Sequence, residues 1–151
     1  MSGWTHCRPS SSVGQFRERA HGWAESVVGA QPGSLHVIND DAMRVTQLPG
    51  EPTKLIANLP YNVSVPVLLR MLELFPTITS GVVMVQTEVA ERLAAKPGTK
   101  IYGAPSAKAA WWADLSLAGN VSRSVFWPVP NVDSSLVAFE RHLTLGDESA
   151  R

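Results

Sequence analysis

The stretch 55–75 constrains the fold most. Leu55-Ile56-Ala57 is a short apolar run without alternation, the pattern of a parallel strand buried on both faces. Asn58-Leu59-Pro60-Tyr61 ends it, because Pro60 has no N–H for a ladder and holds Leu59 extended. A helix is expected next. Ser64 is placed to cap it, Pro66 falls in its first turn, and Val67, Leu68, Met71, Leu72 and Phe75 supply an apolar face. A buried parallel strand that feeds a helix requires further strands reached by crossover connections.

The rest of the chain supplies them. Leu35-His36-Val37-Ile38 reads as a strand running into Asn39-Asp40-Asp41-Ala42, and 82–85 as another. Residues 87–96 read as a helix with Glu88, Glu91 and Arg92 outward, closed by Pro97-Gly98. A short helix is expected over 105–112. Residues 114–121 and 135–141 read as an antiparallel pair at the sheet edge, joined by the Pro-rich Phe126-Trp127-Pro128-Val129-Pro130. Strand and helix in alternation predict an α/β fold. Upstream, 1–14 is polar, Ser/Gly-rich and expected to be disordered. Residues 15–28 place Phe16, Ala20, Trp23 and Val27 roughly on one helix face, with Gly22 against the helix and Pro32-Gly33 ending it. The expected organisation is a partial α/β domain over 15–145 and a tail over 146–151.

Composition narrows the function. The 151 residues suffice for one domain, and 44% hydrophobic with 17% charged residues is a globular balance. Thirteen basic and thirteen acidic residues cancel, so the chain lacks the overall basic footprint of a strong autonomous nucleic-acid binder, although a local patch is compatible. One cysteine excludes an internal disulfide framework and a cysteine-rich zinc site. His6 and Cys7 are adjacent, but no second pair follows at ligand spacing, so no metal is expected. The sequence has no apolar run of bilayer length and no signal-peptide order at its start, which predicts a soluble, cytoplasmic protein.

The tetrapeptide can do specific chemistry. An exocyclic amino group on a flat base is a poor nucleophile, because its lone pair is delocalised into the ring. Two hydrogen-bond acceptors on the amino hydrogens favour a pyramidal nitrogen with its lone pair free to attack a methyl group. The Asn58 side-chain oxygen is one acceptor, and a backbone carbonyl from Leu59 or Pro60 is the other. Tyr61 offers a face on which an extruded base can stack. The carboxyl end of a strand is where α/β folds place their sites. The competing reading is a strand-ending turn in which Asn58 and Pro60 serve geometry alone.

Leu55-Ile56-Ala57-Asn58-Leu59-Pro60-Tyr61-Asn62-Val63-Ser64-Val65-Pro66 resembles the core of the small-subunit ribosomal RNA adenine dimethyltransferase family. Met84-Val85-Gln86-Thr87-Glu88-Val89-Ala90-Glu91-Arg92-Leu93 is similar to its Q-x-E-V-A-x-R segment, and Tyr102-Gly103 to its Tyr-Gly. Phe126-Trp127-Pro128-Val129-Pro130-Asn131-Val132-Asp133-Ser134 is similar to its F-x-P-x-P-x-V-x-S loop. The resemblance implies a Rossmann-like class I methyltransferase sheet and S-adenosylmethionine as methyl donor. It implies adenines of the small-subunit rRNA or pre-ribosomal subunit as target, ribosome biogenesis as context, and a monomer. Asn58, Leu59, Pro60 and Tyr61 become the target-base site, with Asn58 also bordering the cofactor. Asp41 takes the acidic position that contacts the cofactor's adenine; adjacent Asp40 is its alternative, and a solvated turn carboxylate the other reading. Phe126 becomes the residue opposite Tyr61 on the base, with a core aromatic as the alternative. Gln86, Glu88 and Arg92 read as structural.

The family pattern also begins with a first strand, a Gly-rich turn and an acidic residue ending a second strand, which hold the donor. Nothing of the kind precedes residue 35: Gly29 and Gly33 follow no apolar strand, and Glu18 and Glu25 fall in the expected helix. The family's C-terminal helical domain has no counterpart either. The expectation is therefore a partial sheet, lacking the first two strands, with open edges and impaired donor binding. Three readings stand: an rRNA adenine dimethyltransferase, a non-catalytic remnant that keeps ribosome contact, or another nucleic-acid amino methyltransferase acting on DNA or large-subunit rRNA.

Overall fold

The computed structural model describes residues 36–38 and 40–142, and the statements below concern those residues. The expected helix over 15–28 and both termini lie outside them. Contacts divide the chain into two units, Met1–Pro49 and Gly50–Arg151.

In the first unit, the expected strand is not formed: His36, Val37 and Ile38 have no ladder partner among the described residues. Leu35 lies outside them. A strand exists only through its neighbour's hydrogen bonds, so an apolar run alone does not make one. A tight turn follows at Asp41, whose carbonyl accepts from the N–H groups of Arg44 (2.7 Å) and Val45 (3.2 Å).

The second unit is a four-stranded sheet in the order β1-β2-β4-β3, with three helices. β1 is Lys54–Asn58, β2 Ser80–Gln86, β3 Ala113–Val121 and β4 Ser134–Arg141. α1 is Ser64–Leu74, α2 Thr87–Leu93 and α3 Ala104–Trp112. β1 and β2 are parallel, joined through α1. β4 runs antiparallel to both β2 and β3, so the antiparallel edge pair expected from sequence is present. Its register shifts between Leu117 and Gly119, where Gly119 adopts a φ of +155° that side chains rarely allow.

α1 forms as its spacing predicts, burying Val67, Leu68, Met71 and Leu72, with Phe75 buried just beyond its end. Ser64 does not cap it. The turn begins earlier, with the Val63 N–H donating to the Pro60 carbonyl at 3.2 Å, so Val63 holds the cap position and Ser64 is already helical and buried. The carboxyl end of α1 is closed from across the sheet. The Arg141 guanidinium donates to the carbonyls of Leu72, Phe75 and Ile78, and lies 5.8 Å from the centre of the Trp112 ring. The Leu72 and Phe75 carbonyls lie at the carboxyl end of α1 and carry the negative end of its dipole, so a cation is favoured there. Desolvation by burial lowers the Arg141 pKa from the ordinary arginine value.

The core lies on one face of the sheet. Val83, Val85, Val137, Phe139 and Leu115 are buried there, and α2 and α3 contact β2, β3 and β4. Gly81 is where β2 passes under the Phe139 ring, beside the Leu55 carbonyl; a Cβ at this position would meet both. α2 ends at Leu93, earlier than the apolar pattern suggested, and the buried Ser106 hydroxyl donates to the Arg92 carbonyl at 2.5 Å. The same hydroxyl accepts from the Gly103 N–H at 3.1 Å, tying the end of α2 to the start of α3. The Tyr102-Gly103 segment thus serves as a helix start.

β1 departs from expectation. It is not buried on both faces: exposed and half-buried residues alternate, and Ile56 is 84% exposed. Among the described residues β2 is its one neighbour. An apolar run reads as buried because helices normally cover both faces of a parallel sheet, and the face that carries Ile56 is left largely uncovered.

Candidate base-binding site

Four strand ends meet at one end of the sheet. β1 and β2 finish there with Asn58 and Gln86; β3 finishes and β4 begins there with Val121 and Ser134. Asn58 pairs with Met84, and the Leu59 N–H extends the ladder by donating to the Met84 carbonyl at 3.1 Å. Leu59 is buried, and it anchors a turn whose other members, Asn58, Pro60 and Tyr61, are exposed.

The two candidate carbonyl acceptors are not equivalent. The Pro60 carbonyl is occupied by the Val63 N–H, whereas the Leu59 carbonyl has no hydrogen bond among the described residues. The Asn58 amide likewise has no partner among them. Two groups able to accept a hydrogen bond are thus left over on adjacent residues. That is a costly arrangement if buried, but an available one at an exposed strand end.

Tyr61 is held from β4. Its hydroxyl lies 3.4 Å from the Ser134 hydroxyl, and its carbonyl accepts from the buried Ser64 hydroxyl at 3.4 Å. The sequence signal for this contact is weak, since the two residues are 73 positions apart. Thr87 adds a second tie at this end. Its N–H donates to the Asp133 carbonyl at 3.1 Å, and its hydroxyl meets the Ser135 hydroxyl at 2.9 Å. Ser135 in turn donates to the Asn120 side-chain oxygen at 2.9 Å. Glu88 and Arg92 pair with each other at 2.7 Å on the exposed face of α2 and contribute little beyond that.

Phe126 is half-buried on the loop between β3 and β4. The Asp133 carboxylate accepts from the Arg123 N–H at 3.1 Å, and the Arg123 guanidinium donates to the Asn131 carbonyl at 3.4 Å. These bonds cross the mouth of the loop, so Phe126 is carried on a closed segment rooted beside Ser134. Sequence reasoning did not single out Asp133 or Ser134 individually; both fall inside the Phe126-to-Ser134 motif, the one signal that could have found them.

Asp41, in the first unit, is exposed and built into its own turn. Its Oδ1 accepts from the Met43 N–H at 2.9 Å, and its N–H donates to Asp40 Oδ1 at 2.7 Å. One Asp41 oxygen therefore shapes the turn, and the other has no hydrogen bond among the described residues. A cleft of about 480 Å³ lies elsewhere, lined by Leu69, Glu73, Ala107, Lys108, Trp111 and Trp112. Trp112 leads directly into Ala113, which pairs with Arg141, so this cleft is at the end of the sheet opposite Asn58. Among the described residues no group of three or more His, Cys, Asp or Glu is arranged to hold a metal, and no helix is long and apolar enough to cross a membrane.

A mixed sheet with helices against it and an exposed polar turn at the carboxyl end of a parallel strand is the arrangement of part of a class I methyltransferase fold. Solved structures bear this out. A dimethyladenosine transferase from Plasmodium falciparum superimposes with a TM-score of 0.70 and 26% identity, over 83% of this chain and 45% of that one. The 23S rRNA methyltransferase ErmE superimposes with a TM-score of 0.66 and 23% identity, over 83% of this chain and 49% of that one.

The family model of the ribosomal RNA adenine dimethylases matches residues 27–150, and the chain belongs to that family. It is 56% identical over 139 residues to a ribosomal RNA small subunit methyltransferase A of Leifsonia xyli, covering 91% of this chain and 50% of that protein. It is 63% identical over 108 residues to the Thermobifida fusca protein of the same name, covering 71% of this chain and 38% of that protein. The chain thus spans half or less of the length of these relatives.

Proposed function

We propose that this chain carries the target-base half of an adenine-methylating site that acts on small-subunit ribosomal RNA, forming N6,N6-dimethyladenine. The observation that carries this reading is a pair of acceptors without a partner among the described residues, the Asn58 amide oxygen and the Leu59 carbonyl, beside the tethered Tyr61 ring. The base stacks on Tyr61, with Phe126 on its other face. Its amino hydrogens are then taken by Asn58 and Leu59, and Pro60 contributes rigidity rather than its own carbonyl. S-adenosylmethionine, when bound, would supply the electrophilic methyl group, and Asn58 would border it. In the first unit, taken by itself, Asp41 would be the residue to accept from an adenine amino group. The methylated nitrogen loses its proton to water, so the chain needs no strong base. The hydrogen bond between the Tyr61 and Ser134 hydroxyls restrains the ring while the base enters.

The exposure of Ile56, and a β1 that has β2 as its one ladder neighbour among the described residues, support a second element of this reading: donor binding by this polypeptide is weak. Both are tested by one assay, transfer of tritiated methyl groups from millimolar S-adenosylmethionine to small-subunit rRNA transcribed in vitro. Label is expected in N6-methylated and N6,N6-dimethylated adenine, with turnover still rising at millimolar donor. Label in cytosine or guanine would contradict the assignment of the base. RNA binding without any transfer would favour a non-catalytic remnant.

A further inference from the structure

We infer that Trp127 is a second nucleic-acid contact, stacking on the nucleotide that flanks the extruded adenine. The inference rests on the reading of the site given above. Trp127 is 95% exposed, the most exposed of the large apolar side chains in the described residues. Burying an indole normally contributes a large apolar area, so leaving one in water without a partner is unfavourable. It is not alone: Val125, Val129 and Val132 are also exposed on the same loop. This patch flanks Phe126 in the chain, and its loop is rooted at the end of the sheet that carries Asn58 and Tyr61.

The loop is also built to hold its shape. Arg123 and Asp133 close its mouth, the Val125 and Phe126 N–H groups donate to the Ser122 and Arg123 carbonyls, and Pro128 and Pro130 restrict the backbone around Trp127. A presented aromatic on a stiff loop loses little conformational freedom on binding. When a base leaves the stack, its neighbours expose faces that a planar apolar side chain can cover. A nucleotide fits this presentation better than a protein surface, because the indole stands free rather than lining a groove. Arg123, at the root of the same loop, provides a cation near the phosphates that accompany that nucleotide.

The test compares the whole 151-residue chain with Trp127→Ala and Trp127→Phe for binding to unmodified small-subunit rRNA, by filter binding and tryptophan fluorescence. Base–aromatic stacking predicts a loss of about 5- to 150-fold for Trp127→Ala and a loss of less than about threefold for Trp127→Phe. The salt dependence of binding is expected to be unchanged in both, because no phosphate contact is removed. RNA should also quench a fluorescence component that Trp127→Phe lacks. Equal affinity of wild type and Trp127→Ala overturns the inference and leaves the base site standing. So does a loss of affinity that comes with a lowered melting temperature, which would make Trp127 structural. Equal RNA affinity with altered self-association would assign the patch to a protein partner instead. Failure of the wild-type chain to bind RNA would overturn both this inference and the reading of function.

Discussion

Replacing Asn58 with alanine is expected to reduce methyl transfer by about 100-fold at saturating RNA, the cost typical of removing one preorganised hydrogen-bonding group aimed at the reacting atoms. RNA affinity should fall by no more than about fivefold, the worth of one hydrogen bond. The asymmetry follows from the chemistry. The amide oxygen matters most when the amino nitrogen becomes pyramidal and its hydrogens acquire positive charge, which happens in the transition state rather than on binding. The fold should not notice. Asn58 is exposed, at a strand end, with no side-chain hydrogen bond among the described residues. Its melting temperature serves as the control, and single-turnover transfer of tritiated methyl is the readout. Undiminished transfer would remove Asn58 from the chemistry.

Gly81→Ala is expected to destabilise the chain by about 3 kcal/mol, lowering its melting temperature by roughly 10 °C. An added Cβ would lie 2.7 Å from Cε1 and Cζ of Phe139, and would also collide with the Leu55 carbonyl oxygen. Neither obstacle yields easily. Phe139 is 2% exposed at the centre of the core, and Leu55 is held in the ladder between β1 and β2. The glycine is therefore required by close approach, not by its dihedral angles. Phe139→Leu in the same chain should recover part of the loss by removing the ring. Thermal melts followed by circular dichroism check both, and a Gly81→Ala melting temperature within about 2 °C of wild type, under 1 kcal/mol for a unit of this size, would refute the packing argument.

Much of this architecture is legible in local sequence, where local sequence is what decides it. The apolar face of α1 recurs with helical spacing, and every one of its expected members is buried. The pair β3 and β4 is announced by two strand-like runs around a Pro-rich loop. What escaped depends on neighbours that a segment's own residues do not name. The run Leu55-Ile56-Ala57 looks buried, yet whether a helix covers each face of the strand is a property of the whole sheet, and Ile56 is exposed. His36 to Ile38 looks like a strand but has no ladder partner among the described residues. Ser64 has the right chemistry for a cap, but the Pro60 turn starts the helix one residue earlier. At the candidate site, Asn58 to Tyr61 and Phe126 are proposed from the motif alone. Their supports were not, because Ser134 reaches Tyr61 and Asp133 reaches Arg123 only after folding.

The central claim is that acceptors on Asn58 and Leu59 hold the amino group of the target adenine. It is tested most directly by the affinity of the chain for two synthetic small-subunit rRNA hairpins, identical except that one carries N6,N6-dimethyladenine in place of adenine at the target positions. The dimethylated base has no amino hydrogen to donate. With two hydrogen bonds at stake, of about 1 kcal/mol each, the unmodified hairpin should bind about 30-fold more tightly, and Asn58→Ala should narrow that gap to about fivefold. Equal affinity for the two hairpins would contradict the account.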